Sequence, residues 1–327
     1  MPLPEEWDEP SPLVSVVIPC YNATRYIGDA LNSLREQTFR DFEVILVNDG
    51  CPDTENLERV LQPYRDEIVY IKSGQWASIS SSRNTAIRAS HARYIALLDA
   101  DDVWEPDYLR VQVGLLESDP TIDLIYPNAI YFGEGAWVGK LFMDMNPSEG
   151  EVTLKKMILR ECTVFIGVTA RRESLIRAGL FDPQVRGGED WDVWIRVLRS
   201  GGTIAYHRQP LARYRLRSGS MSSDKLDLLR NGLAVCDKYL NLPDLSAEER
   251  GWWKAAARTY RSNADLVLGK QALYAGRRKE AIDLLSRANQ DLRDSRVGMA
   301  ILALRLVPRL LFFYVRQRYP SEYSYLH

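Results

Sequence analysis

The chain has 327 residues, 46% of them apolar and 26% charged, and a formal net charge of −2. This length allows a full core and more than one domain. The near-neutral balance excludes a general electrostatic pull toward nucleic acid. The four cysteines, Cys20, Cys51, Cys162 and Cys236, lie far apart without CxxC spacing, so reduced thiols in a cytosol are expected. The start, MPLPEEWDEP, is acidic and proline-rich, unlike a secretory leader. No uninterrupted apolar run reaches the ~18 residues of a spanning helix.

Val14 to Ile18 is a β-branched run ended by Pro19, the pattern of a strand buried on both faces. Ile27, Ala30, Leu31 and Leu34 then fall on one helical face. Phe42 to Val47 predicts a second buried strand, running into the turn NDG. Leu57, Val60 and Leu61 mark a helix, residues 68–71 a third strand, residues 80–90 a helix and Tyr94 to Leu98 a fourth strand. Pro106 suits the first turn of the helix that follows. Strands spaced by single helices predict a mostly parallel sheet with flanking helices. Ligands of such sheets sit at the carboxyl ends of the strands. PCYN, NDG and DADD all fall at such ends, so these loops should converge on one crevice.

From about 150 the rhythm changes. Leu154 to Arg160 reads as a helix, Val164 to Ala170 as a strand and RESLIRAGLFD as a helix closed by Gly179. GGEDWDVWIRVLRSGG is a glycine loop, two acids and a helix ended by Gly201 and Gly202. After about 222 the pattern is helical. LGKQALYAGRRKEAIDLLSRA resembles one tetratricopeptide hairpin, and a single copy reads as an appended packing element rather than a solenoid. The segment 297–318 is apolar but broken by Arg305, Pro308 and Arg309.

The stretch YIALLDADDVWEP carries the sharpest chemistry. An apolar strand ends in Asp99, Asp101 and Asp102, and like charges this close need a counter-charge. Hard carboxylate oxygens there can hold a divalent cation with phosphates completing the shell. A solvated turn with helix-capping aspartates is the plainer reading of the same residues.

VSVVIPCYNATRYIGDALNSLREQTFRDFEVILVNDGCPD, together with SSSRNTAIRASHARYIALLDADDVW, resembles the inverting family 2 glycosyltransferases of A-type fold. GGEDWDVWIRV resembles that family's Glu-Asp acceptor motif and YRLRSGSMS its late loop. The resemblance spans roughly residues 13–222. It implies a nucleotide-diphospho-sugar transferase fold over 1–222, with a nucleotide-binding half near 13–130 and an acceptor half near 131–222, and a helical extension over 223–327.

The resemblance also implies roles. Pro19 and Tyr21 would line the base pocket, and Asp49 would bind the base, uracil by analogy. Arg83 would sit near the diphosphate and Asp99 on the ribose or sugar. Asp101 would ligate Mn²⁺ or Mg²⁺. Asp102 would be structural, capping the helix that starts near Pro106. Asp190 would be the general base, with Glu189 in support. Where many relatives carry a metal-binding histidine, this chain has Arg217, which cannot ligate a cation but pairs well with phosphate. Trp191 and Trp194 fit a helix core better than a sugar platform.

The implied activity moves a sugar from a nucleotide-sugar donor to a saccharide or lipid-linked saccharide acceptor. The expected location is cytoplasmic; the apolar side chains of 297–315, with Arg305, Arg309, Arg316 and Arg318, suit contact of 297–318 with the inner face of an anionic membrane or with a partner, and equally a packed terminal helix. A dinucleotide oxidoreductase would need GxGxxG after the first strand, where PCYNAT stands. A non-catalytic relative working through its helical tail is the alternative.

Overall fold

A computed structural model of the protein describes residues 11–146, 148–217, 220 and 224–308. The chain forms two compact units, residues 1–220 and 221–327.

In the first unit, β1 (Val14–Cys20), α1 (Ile27–Arg35), β2 (Phe42–Asp49), α2 (Thr54–Leu61), β3 (Val69–Ser73), α3 (Ile79–Ala89) and β4 (Tyr94–Leu97) alternate as their patterns predict. Every residue of β1 and β4 is buried, which explains their unbroken apolar character. Ile27, Ala30, Leu31 and Leu34 of α1 are buried on one face. Then follow β5 (Val103–Trp104), α4 (Tyr108–Ser118), β6 (Leu124–Gly133), α5 (Phe142–Met145), α6 (Leu154–Ile158), β7 (Thr169–Arg171), α7 (Arg172–Arg177), α8 (Glu189–Arg199) and β8 (Ile204–Leu216).

The strands make one sheet in the order β3-β2-β1-β4-β7-β6-β8-β5. The pairs β1/β2, β1/β4, β2/β3 and β6/β8 are parallel, while β4/β7, β6/β7 and β5/β8 are antiparallel. The parallel half is the one read from sequence. Of the strand expected over 164–170, only Thr169 and Ala170 belong to the sheet, in β7 (Thr169–Arg171), which runs antiparallel. Upstream of it the backbone folds on itself at Ile166–Val168, where Val168 N donates to Ile166 O.

Three strands are not assigned from the sequence, the two-residue β5 and the longer β6 and β8. β6 and β8 each carry an internal proline, Pro127 or Pro210, which marks a run as non-strand. The register between β6 and β8 shifts at Tyr126/Asn128, beside those prolines, so the irregularity absorbs the missing donors.

The antiparallel β5/β8 pair sets Val103 against Arg213 and Trp104 against Ala212, which carries the end of β8 beside the loop after β4. Buried Gln37 fixes the other side of that loop. Its Nε2 donates to Glu105 O (2.8 Å) and its Oε1 accepts from Leu109 N (3.0 Å).

The second unit comprises α9 (Lys225–Leu240), α10 (Ala247–Tyr274), α11 (Arg278–Leu292) and α12 (Ser295–Leu306). Ser246 and Glu249 form a capping box that starts α10. Tyr239 and Trp253 stack at 4.3 Å between centroids, joining α9 to α10. Ala272, Leu273, Ala281, Leu284, Leu285, Val297 and Leu304 form the core shared by α10, α11 and α12. Among the described residues no helix is long and apolar enough to cross a membrane.

Candidate active site

The carboxyl ends of β1, β2 and β4 lie side by side because those strands are adjacent and parallel. Beyond β4 the chain closes a turn in which Asp102 N donates to Asp99 O (3.0 Å). The three acids of this turn take different partners. Asp99 Oδ1 accepts from Arg83 Nη2 at 2.8 Å. Asp101 Oδ2 accepts from Arg217 Nε at 2.7 Å. Asp102 is buried, and its Oδ1 accepts from the backbone N–H of Arg215 at 2.8 Å.

Asp102 therefore caps no helix, contrary to the sequence expectation. The N-cap position of α4 is Asp107, and Asp102 instead ties the acidic turn to β8. Burial, then the charges of Asp101 and Asp99, lift the Asp102 carboxyl well above the usual range. The Asp101 carboxyl is raised too, by burial and then by Asp99, against the opposing pull of Arg217.

Arg215 had no role in the sequence reading. Its Nε donates to Asp101 O (2.6 Å), its Nη2 pairs with Asp29 Oδ2 (2.7 Å), and its guanidinium lies 4.2 Å from the Phe132 ring centroid. Alternation along a polar strand gives no cue to such a role.

Arg83 sits on α3, and its side chain is only 2% exposed. Besides Asp99 it binds Glu189 Oε1 through Nη1 at 2.9 Å. One guanidinium thus joins the acidic turn to α8. Burial opposes its charge, but Asp99 and then Glu189 outweigh this and hold the guanidinium above its ordinary range. Next to it, Asn84 binds both backbone groups of Phe181, donating to its carbonyl (2.7 Å) and accepting from its N–H (2.9 Å). The first half of α3 therefore anchors the approach to α8.

Gly188, the N-cap of α8, has φ +82°, a left-handed conformation that glycine adopts without Cβ strain. The first turn of α8 carries Glu189, Asp190 and Asp192. Glu189 is committed to Arg83, and its carboxyl is raised by burial against the pull of Arg83. Asp192 is buried on Arg196 (2.8 Å). Asp190 is half-buried and accepts from the neighbouring Trp191 N at 2.7 Å. Among the described residues it pairs with no guanidinium or ammonium group. Trp191 and Trp194 are buried core residues, as their spacing suggested.

At the end of β2, Asp49 is buried. Its Oδ1 accepts from Ala77 N (3.1 Å), and its Oδ2 has no hydrogen-bond partner among the described residues. Gly50, at φ +68°, lies so close to the 75–76 backbone that a Cβ would stand 2.5 Å from Trp76 N. Asn48 bonds Thr54, Tyr70 and Cys51 N, so it organises this turn. Tyr21 and Trp76 are 44% and 50% exposed, with ring centroids 6.0 Å apart. Trp76 escaped the sequence reading; its only signal was a lone aromatic in the polar stretch KSGQWASIS. Pro19 is buried within β1 opposite Val47, so its side chain belongs to the sheet. Cys20 beside it is buried, and burial, then Cys51 and Asp101, push its thiol up to about 12, which makes it a poor nucleophile.

Among the described residues no group of three or more His, Cys, Asp or Glu side chains is placed to hold a metal ion. Asp101 offers one hard carboxylate. That suffices for Mn²⁺ or Mg²⁺ only when phosphate oxygens and waters complete the shell.

A profile of the family described as glycosyl transferase family 2 matches residues 15–176. The putative teichuronic acid biosynthesis glycosyltransferase TuaG of Bacillus subtilis is 31% identical over 219 residues, 65% of this chain and 83% of that one. The Escherichia coli UDP-Glc:alpha-D-GlcNAc-diphosphoundecaprenol beta-1,3-glucosyltransferase WfgD is 26% identical over 233 residues, 71% of this chain and 88% of that one. Among solved structures, residues 1–349 of S. aureus TarS in complex with UDP-GlcNAc superpose with TM-score 0.62 at 20% identity, covering 95% of this chain and 89% of that one. Mannosyltransferase PcManGT of Pyrobaculum calidifontis, in complex with GDP-Man and Mn²⁺, superposes with TM-score 0.61 at 18% identity, covering 97% and 91%. These likenesses show the fold, the A-type glycosyltransferase sheet with flanking helices followed by C-terminal helices.

The Arg83 bridge makes a testable demand. Removing one member of a buried ion network leaves uncompensated charge, at a cost of about 3–5 kcal/mol. Arg83→Leu should lower the urea unfolding free energy by that amount. Arg83→Lys should recover part of it, because a point charge cannot face both acids at once. A Leu variant as stable as the parent would mean that the bridge does not hold α8 to the acidic turn.

Proposed function

Since the chain belongs to glycosyl transferase family 2, we propose that it is an inverting enzyme that moves a sugar from a UDP-linked donor to a saccharide or lipid-linked saccharide acceptor, in cell-surface polysaccharide or glycoconjugate synthesis. The observation that carries this reading is the state of Asp190. In the acidic first turn of α8, Glu189 and Asp192 are bound to arginines, while the half-buried Asp190 is the carboxylate left to accept a proton.

In this reading the acceptor hydroxyl gives its proton to Asp190 as its oxygen attacks the anomeric carbon. The bond to the diphosphate breaks on the opposite face, its electron pair stays on the diphosphate oxygen, and the anomeric configuration inverts. Asp99 keeps a carboxylate oxygen, apart from the one on Arg83, for a ribose or sugar hydroxyl. Arg83 acts through Asp99 and Glu189, whose positions it fixes. Arg217 supplies positive charge toward the diphosphate. A divalent cation, Mn²⁺ or Mg²⁺, held by Asp101 and the diphosphate, would neutralise charge on the leaving group.

The orphan Oδ2 of Asp49 supports uracil as the base. Uracil presents one N–H donor on its pairing edge, whereas guanine presents adjacent donors that need two free acceptors. Asp49 has one oxygen free and the other on Ala77 N. Exposed Met299 (63%), Leu302 and Leu306 (70%) lie on α12, and Arg305 is next to them in sequence. They support a peripheral contact of the enzyme with the cytoplasmic face of an anionic membrane. Residues 309–318, the rest of the segment expected to make this contact, lie outside the described residues.

Asp190→Asn keeps the shape and removes the basicity. It should cut turnover by about 100- to 10,000-fold with donor affinity nearly constant, and transfer at the parental rate would remove Asp190 from the mechanism. In a thermal-shift panel of nucleoside diphosphates with Mn²⁺, UDP should give the largest stabilisation, since ligand binding raises stability by mass action. A larger shift with GDP would refute the base assignment. Sedimentation with anionic liposomes should retain the parent and lose a chain carrying Met299→Glu, Leu302→Glu and Leu306→Glu, and equal retention would exclude the membrane contact.

A further inference from the structure

The acidic turn already contains a cation. Arg217 Nε stands 2.7 Å from Asp101 Oδ2, and both side chains are largely withdrawn from solvent, 18% and 21% exposed. The other charged groups facing this turn are accounted for. Arg83 is shared between Asp99 and Glu189, and Arg215 is spent on Asp29 and on the carbonyl of Asp101. Among the described residues, Arg217 is the guanidinium paired with the Asp101 carboxylate. It lies 5.4 Å from the Tyr26 ring centroid, so the side chain rests on a defined surface.

A divalent ion and a guanidinium cannot share Asp101 comfortably. The metal would meet a like charge within a few ångströms, and one of the two Asp101 carboxylate oxygens, Oδ2, is already held by the guanidinium. Arg217 gives up that oxygen only for another anion, and a diphosphate is the anion it matches best.

We propose that Arg217 guards Asp101. In the donor-free protein it serves as the counter-cation of the acidic turn and keeps metal out. When a nucleoside diphosphate arrives, Arg217 transfers to the phosphate oxygens, and Asp101 is released to the incoming cation. Metal and diphosphate then bind as a coupled pair, each raising the affinity of the other by the same factor. This rests on the reading of Asp101 as metal ligand and goes beyond it, because it assigns the metal-free state and the order of events.

Mn²⁺ binding to the full-length protein, followed by the loss of the free-ion electron paramagnetic resonance signal, tests this without turnover. Without nucleotide, Arg217→Ala and Arg217→Gln should bind Mn²⁺ about tenfold more tightly than the parent. Arg217→Lys should stay near the parent, and adding Asp101→Asn to Arg217→Ala should abolish the gain. UDP should draw Mn²⁺ onto the parent. The guard is overturned if neither neutral variant gains affinity, or if the gain survives Asp101→Asn; UDP-dependent Mn²⁺ binding by the parent would then leave the metal reading standing. If UDP draws no Mn²⁺ onto the parent, the metal reading and the guard fall together.

Discussion

Three carboxylates within four residues at the end of a buried strand form the constraint on which the site depends. Charge this dense and this withdrawn from water must be neutralised, or it protonates and the turn loses its chemistry. The protein meets the demand with donors drawn from distant parts of the chain. Arg83 comes from α3, and Arg215 and Arg217 come from the end of β8. The contacts made by Asp99 and Asp102 also fix elements, α3 and β8. The acidic turn is therefore the junction at which the parallel half of the sheet, the antiparallel half and α8 are held in register.

The Arg83 bridge shows how closely structure and chemistry are joined here. Glu189 and Asp99 are 90 residues apart in sequence, yet they bind the two Nη atoms of one guanidinium. Asn84, the next residue of α3, grips both backbone groups of Phe181. A single helix turn thus sets the spacing between the acids proposed for the donor and the acid proposed for the acceptor. An ion pair this buried adds little net stability compared with apolar packing, but it permits one geometry and penalises others.

How much of this was legible follows from where the information lies. β1, β2 and β4 are buried on both faces, so their apolar runs announce them, and the polar residues at their ends follow from topology alone. The acids of DADD and NDG were visible for the same reason, and those of GGED because a glycine pair ahead of an amphipathic helix marks them. β6 and β8 were not, because Pro127 and Pro210 interrupt them and the irregularity that accommodates both prolines is a tertiary fact. Asp102 was misread because a backbone partner 113 positions away outcompeted the nearby helix. The pairing of Arg83 with Asp99 and Glu189 was not legible, because no local pattern encodes contacts 16 and 106 positions away. Trp76 was missed because exposed aromatics in polar loops carry no periodicity.

Paired groups and unpaired groups at this site separate by role. Asp99, Asp102, Glu189 and Asp192 each hold an arginine side chain or a backbone N–H, and together they make the frame. Asp49 Oδ2 is buried and bonds nothing among the described residues, a state that costs about 1–3 kcal/mol in a finished protein. Asp190, half-buried beside the frame, accepts among the described residues only from the adjacent amide. A fold tolerates such costs where a ligand relieves them, and the two positions lie at the ends of different elements, β2 and α8. One can therefore meet the base of a donor and the other the hydroxyl of an acceptor. Asp101 stands between these classes, since its partner Arg217 is partly exposed and next to the end of β8 rather than locked in the core. It is the one carboxylate of the turn whose partner can leave without dismantling the frame.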